Sequence, residues 1–131
     1  MVDVERLLDE LELDCELLAS GEYCLTVCFD DERKQRVYLS EVNIEGVESP
    51  ICRISSCACS NLSALSPDCL RKCLINSGKH RLGAWELRDD SLFFSIKTVE
   101  KISCEALLKL INYAALAADE FEKKYLGDDR H

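Results

Sequence analysis

Four cysteines stand close enough in the sequence to raise a question of chemistry: Cys57, Cys59, Cys69 and Cys73. Thiolates are soft ligands, and zinc sites hold them in pairs spaced C-x2-4-C, whose tight turns aim both sulfurs at one ion about 2.3 Å away. The pair Cys57-Ala58-Cys59 is one residue too tight for that knuckle. Cys69 and Cys73 have i,i+4 spacing just after Ser66-Pro67, so a helix puts both on one face. There they could share a metal, but a helix also places such a pair on one core face. Across the chain, cysteines occupy positions 15, 24, 28, 52, 57, 59, 69, 73 and 104. Cys24 and Cys28 flank Thr26 on one face of an alternating stretch, and Cys52 falls in step with Ile54. That periodicity favours thiols as small apolar filling, since free cysteine packs like a hydrophobe. The alternative is a metal-binding or redox-sensing site built from Cys57, Cys59, Cys69 and Cys73, the latter needing exposed thiols of low pKa. An odd number of cysteines behind a start, MVDVERLLDELEL, that lacks signal-peptide character points to a reducing cytoplasm.

Other chemistry is sparse. No G-x-S-x-G elbow, P-loop or G-x-G-x-x-G after a strand occurs. His131 is terminal. His80 lies between Lys79 and Arg81 in a predicted loop, where pairing with Cys73 is outweighed by the reading of a solvated histidine. Asp30-Asp31 and Asp89-Asp90 fit turns, whose backbone such acids hydrogen-bond. The run Asp119-Glu120-Phe121-Glu122-Lys123-Lys124 reads as a solvated helix face with ion pairs worth tenths of a kcal/mol each. Trp85 is an interface anchor or, more simply, a core residue. Neither catalytic residues nor a cofactor are implied.

The elements that would position these residues alternate in type. Asp3 can cap a helix carrying Val4, Leu7, Leu8 and Leu11 at helical spacing. A short strand follows at 15–19. Tyr23 to Phe29 alternates with Tyr23, Leu25, Val27 and Phe29 on one face, and Gln35 to Val42 resumes with Val37 and Leu39 inward. These short loops predict an antiparallel meander. After a turn at Gly46, Pro50 leads into a strand through Ile51 to Ile54. Ser66-Pro67-Asp68 is a strong helix start, and Asn76-Ser77-Gly78 ends that helix. Residues 81–88 and 91–98 read as a hairpin closed at Asp89-Asp90, with Leu92, Phe94 and Ile96 on one face. Ser103 caps a last helix to about Tyr125, with a seam of Leu107, Ile111, Ala114, Ala118, Phe121 and Tyr125. The expected fold is α+β, a two-layer antiparallel sheet with helices in the order α-β-β-β(-β)-α-β-β-α, as a single domain over 1–131.

Composition bounds the class. With 131 residues, 47% hydrophobic and 31% charged, the chain suits one globular domain and holds no apolar run of the roughly 20 residues a membrane helix needs. The formal charge of −9 argues against nucleic acid, whose binding needs clustered Lys and Arg. Of 25 acidic residues, 14 fall in the first 49 positions and one in 50–80. That acid-poor middle, with five cysteines, is either a contact surface or the most buried segment.

Leu74-Ile75-Asn76, Leu82-Gly83-Ala84-Trp85-Glu86-Leu87 and Asp90-Ser91-Leu92-Phe93-Phe94 together resemble the YbjN-like proteins, as does Ala117-Ala118-Asp119-Glu120-Phe121-Glu122 near the end. The likeness is best over 70–125. It implies a fold similar to type III secretion chaperones: small, acidic, cytoplasmic homodimers that bind polypeptide without catalysis. The cysteine content is not a hallmark of either group. A partner segment is expected on the exposed sheet face and first helix, with Leu7, Leu11, Leu25, Val27 and Phe29 as contacts, residues that would serve a core equally well. Leu110, Tyr113, Leu116 and Ala117 widen the apolar stripe of the last helix beyond what one sheet covers, which predicts the homodimer.

Overall fold

The computed structural model describes residues 2–48, 51–99 and 102–126. Pro50 and His131, and the side chains of Asp3 and Val4, lie outside the described residues. Among the described residues, three α-helices and six strands form in the order α1 (Val2–Glu10), β1 (Cys15–Leu17), β2 (Tyr23–Cys28), β3 (Lys34–Val42), β4 (Ile51–Cys59), α2 (Pro67–Ser77), β5 (Ala84–Arg88), β6 (Ser91–Val99) and α3 (Cys104–Phe121). A short 3-10 turn, Leu62–Ala64, precedes α2, and a π-type turn, Glu122–Leu126, extends α3. The expected α+β order therefore holds in its four-strand form. Asp3 is inside α1 rather than ahead of it, and β4 runs five residues beyond Ile54.

Both long helices start where hydroxyls satisfy free backbone N–H groups. Ser66 Oγ accepts from Cys69 N at 3.1 Å, with Pro67 in the first turn, and Ser103 Oγ accepts from Ala106 N at 3.1 Å.

The sheet is antiparallel throughout, in the order β1-β2-β3-β4-β6-β5. The meander ends at β4, and the β5–β6 hairpin returns through α2 to lay β6 against β4. Gly83, just before β5, is needed for that approach: a Cβ there would stand 2.5 Å from the Ser95 carbonyl oxygen. β3, β4 and β6 pack against α3, and α1 packs beside it. The main core holds Leu7 and Leu8 of α1, Leu25, Val37, Leu39, Cys52, Ile54, Phe94 and Ile96 of the sheet, and Leu107, Ile111 and Ala114 of α3. A second cluster lies towards the end of α3: Ala58, Cys59, Leu65, Cys69, Cys73, Leu92, Ala118 and Phe121. No helix of the described residues is long and apolar enough to cross a membrane.

The acid-poor middle divides. β4 is among the most buried segments, whereas α2 buries Cys69 and Cys73 and leaves Leu74 and Ile75 exposed.

Candidate functional site

The four clustered cysteines do not converge. Register shifts between Cys57 and Cys59, marking a bulge: Cys57 pairs with Phe93 and Cys59 with Leu92, adjacent residues whose side chains leave β6 on opposite faces. Cys59 Sγ donates to the Asn61 carbonyl at 3.1 Å, and Cys69 and Cys73 share a hydrogen bond on the buried side of α2. Burial pushes the Cys57 and Cys73 thiols up to about 11 and raises Cys69. Reactive thiols and thiolate ligands need the opposite shift. Among the described residues, no group of three or more His, Cys, Asp or Glu side chains is placed to hold a metal ion. Cys52 fills the core as its period predicted, but Cys24 and Cys28 do not. Tyr23, Leu25 and Val27 take the helix-covered face of β2, so the alternation turns Cys24 and Cys28 to the other face, where Cys28 is exposed.

The five expected partner contacts are also placed differently. Leu7 and Leu25 are core residues, and Leu11, Val27 and Phe29 pack against that core. The helices cover the sheet face they share, so none of the five forms an exposed anchor row. The wide stripe of α3 is likewise largely absorbed within the chain. Ala117 is buried, Leu110 and Tyr113 pack on the core, and Leu116 is left exposed.

An apolar surface opens between α2 and the end of α3. It is a cleft of about 400 Å³ with Cys73, Trp85, Ala117, Phe121 and Tyr125 among its lining residues. Its aromatic rings are in mutual contact: Trp85 and Phe121 centroids are 5.0 Å apart, Phe121 and Tyr125 4.6 Å, and Trp85 meets Phe94 edge-on at 5.2 Å. Such pairs add about 0.5–1.5 kcal/mol each beyond their burial. Ile75 and Asn76 of α2 and His80 complete the wall, and Lys72, Lys79, Lys124 and Glu120 also line it.

His80 is not the solvated loop residue its neighbours predicted. Its Nδ1 is 2.8 Å from the Tyr113 hydroxyl and its Nε2 2.8 Å from Asn76 Oδ1. Its ring also meets Phe94 edge-on at 4.7 Å. Asn76 Oδ1 accepts from Trp85 Nε1–H at 3.3 Å as well. A neutral ring that donates from Nε2 to Asn76 accepts at Nδ1 from Tyr113. Both nitrogens are then engaged, and His80 acts as a strut tying the end of α2 to α3 and fixing the Trp85 ring. Ser77 Oγ accepts from Trp85 N at 2.9 Å, which anchors β5 to the same end of α2.

The run at 119–124 is a solvated face only in part: Glu120, Lys123 and Lys124 are exposed, while its acids at 119 and 122 turn inward. Asp119 and Glu122 are 1% and 0% exposed. Arg33, from the turn after β2, places Nε 2.7 Å from Asp119 Oδ1 and Nη2 3.9 Å from Glu122 Oε2. Lys123 lies 2.7 Å from Asp31 Oδ2 and 3.5 Å from Asp119 Oδ2. Lys123 holds the Asp31 carboxyl below its ordinary range, against a desolvation effect in the other sense. Gln35, also fully buried, donates from Nε2 to the Cys57 carbonyl at 2.6 Å. These contacts clamp the last turn of α3 to the β2–β3 turn and so set where Phe121 and Tyr125 stand. The signal in the sequence was slight: Asp119 and Glu122 lie one turn after Ala115 and Ala118, on the flank of the seam.

Fold and cleft together define a two-layer α+β domain with one aromatic-floored, lysine-bearing groove at the exit of its longest helix. The chain matches no protein-family model, and no curated protein matches it.

Proposed function

We infer that this chain is a non-enzymatic polypeptide-binding protein of the chaperone-like or regulatory kind, a small acidic homodimer of the cytoplasm, in line with its resemblance to YbjN-like proteins. The observation that carries the reading is the cleft, whose rings are held by His80, Asn76 and Ser77 on one side and by the Arg33 clamp on the other. Its volume of about 400 Å³ lies in the range of preformed binding sites, which are apolar with a few placed polar groups. Ile75 in its wall is 58% exposed, and Leu116 on α3 is 46% exposed. A polypeptide seats bulky anchors in such a groove as amphipathic segments do. Leu74, 72% exposed on α2, adds to the apolar surface that a second copy would cover.

Trp85 is the single tryptophan of the chain and lines the cleft, so its emission reports occupancy directly. A saturable change on titration with a short peptide bearing Phe and Leu anchors is expected. A flat response to every apolar-anchored peptide overturns the reading. Light scattering should give twice the 14.8 kDa chain mass, and a monomer at high concentration removes the homodimer.

A further inference from the structure

The cleft carries a charge asymmetry that its aromatic floor does not require. Lys72, Lys79 and Lys124 line it against the one carboxylate of Glu120, in a chain whose formal charge is −9. Lys72 is paired with Asp68 on its own helix at 3.2 Å, both side chains being mostly exposed, and such a pair is readily exchanged for a partner's carboxylate. Lys124 stands 5.3 Å from the Tyr125 ring, within reach of anything seated on that ring.

We propose that the occupant of this cleft is an acidic peptide segment, with bulky apolar side chains on Trp85 and Phe121 and flanking Asp or Glu residues meeting Lys72, Lys79 and Lys124. The proposal rests on the polypeptide-binding reading above and adds its selectivity. A basic segment would bring cations against three lysines, and a neutral one would leave them unmatched. None of the acids of the first third of the chain lines the cleft, and charges beyond about 8 Å are largely screened at physiological salt. A small carboxylate offers one negative charge to the three lysines of the lining, whereas a peptide segment carries several.

The experiment compares synthetic peptides by Trp85 emission. One carries Phe and Leu a helical turn apart among Asp and Glu. A second replaces the acids with Lys, and a third keeps the acids and replaces both anchors with Ser. Phenylacetate serves as the small carboxylate. The acidic anchored peptide should bind at least about tenfold tighter than the lysine form, since opposite and like charges at this range differ by more than a kcal/mol. Its affinity should fall several-fold when salt is raised to about 0.5 M. The triple change Lys72→Gln, Lys79→Gln and Lys124→Gln, at surface positions that leave the fold intact, should erase the difference between the two anchored peptides. Equal binding of both anchored peptides to the unaltered chain overturns the acidic preference and leaves polypeptide binding standing. Binding of neither overturns both. Equal binding of the Ser-substituted peptide shows a charge effect without the cleft, and phenylacetate binding as tightly as the peptide replaces the peptide with a small ligand; each overturns the proposal.

Discussion

The two halves of α3 face different interiors. In the first, Leu107, Ile111 and Ala114 close over a core sealed by β3, β4, β6 and α1. In the second, Ala118 and Phe121 meet thiols, the buried charges of Asp119 and Glu122, and an open cleft. One seam repeat serves both, so repeat alone does not distinguish a stability element from a binding element. What distinguishes them is what lies opposite. Where the sheet is broad, aliphatic side chains suffice; where it ends, the helix is held by Arg33 and leaves its aromatic rings accessible.

The contrast is sharpest in the core itself. Phe94→Ala, at a residue with no exposed surface, should lose about 3–5 kcal/mol of unfolding free energy in urea titration. Phe121→Ala, at a residue 5% exposed that lines the cleft, should lose less, about 3 kcal/mol, because its open side carries fewer packing partners; equal losses would erase the distinction. Arg33→Ala removes the guanidinium that meets both Asp119 and Glu122, leaving Lys123 at 3.5 Å from Asp119, and should cost about 3 kcal/mol, whereas changing Arg33, Asp119 and Glu122 together to apolar residues of similar size should recover most of it. If the triple variant is as unstable as the single one, the cluster acts through shape rather than charge.

A smaller effect is expected from pH. The Cys57 and Cys73 thiols have ordinary values of 9.0 and folded values of about 11. Between those limits the unfolded chain releases protons that the folded chain keeps, so stability declines as pH rises. The contribution is complete below pH 9 and lost through about 11. The thermal midpoint should therefore fall in that window, and less steeply in Cys57→Ala/Cys73→Ala. Smallest of all, Leu74→Ser at an exposed position should shift the free energy of the isolated chain by less than about 0.5 kcal/mol, leaving any larger, concentration-dependent change to be read as loss of the second copy.

Much of this layout was legible from residue pattern. Ser66-Pro67, Ser103 and the alternation at Leu92, Phe94 and Ile96 fixed caps and faces because each signal is local. The site was less legible. Arg33 and Asp119 are 86 positions apart, and no periodicity links them, so two acids on a helix flank read as solvated. His80 looked like a loop residue because its partners Asn76, Tyr113 and Phe94 come from three different elements. For Cys24 and Cys28, alternation showed that they share a face but not which face the helices would cover. The same ambiguity left Leu25, Val27 and Phe29 open between partner contact and core, and the core holds Leu25, with Val27 and Phe29 packed against it.

The return of β6 to β4 also bears on how the chain assembles. β1 to β4 pair neighbour to neighbour, and β5 with β6 through a tight turn, so both units form from contacts close in sequence. Joining them requires pairs such as Ile54 with Ile96 and Cys52 with Thr98, whose loop must close before α3 has a complete surface to dock upon. Folding speed depends on the sequence separation of native contacts, and mixed domains with such closures fold more slowly than helical bundles. The β4–β6 joint, where the meander meets the hairpin, is thus the step expected to limit folding: substitutions along it should slow folding, while those lining the cleft should chiefly hasten unfolding.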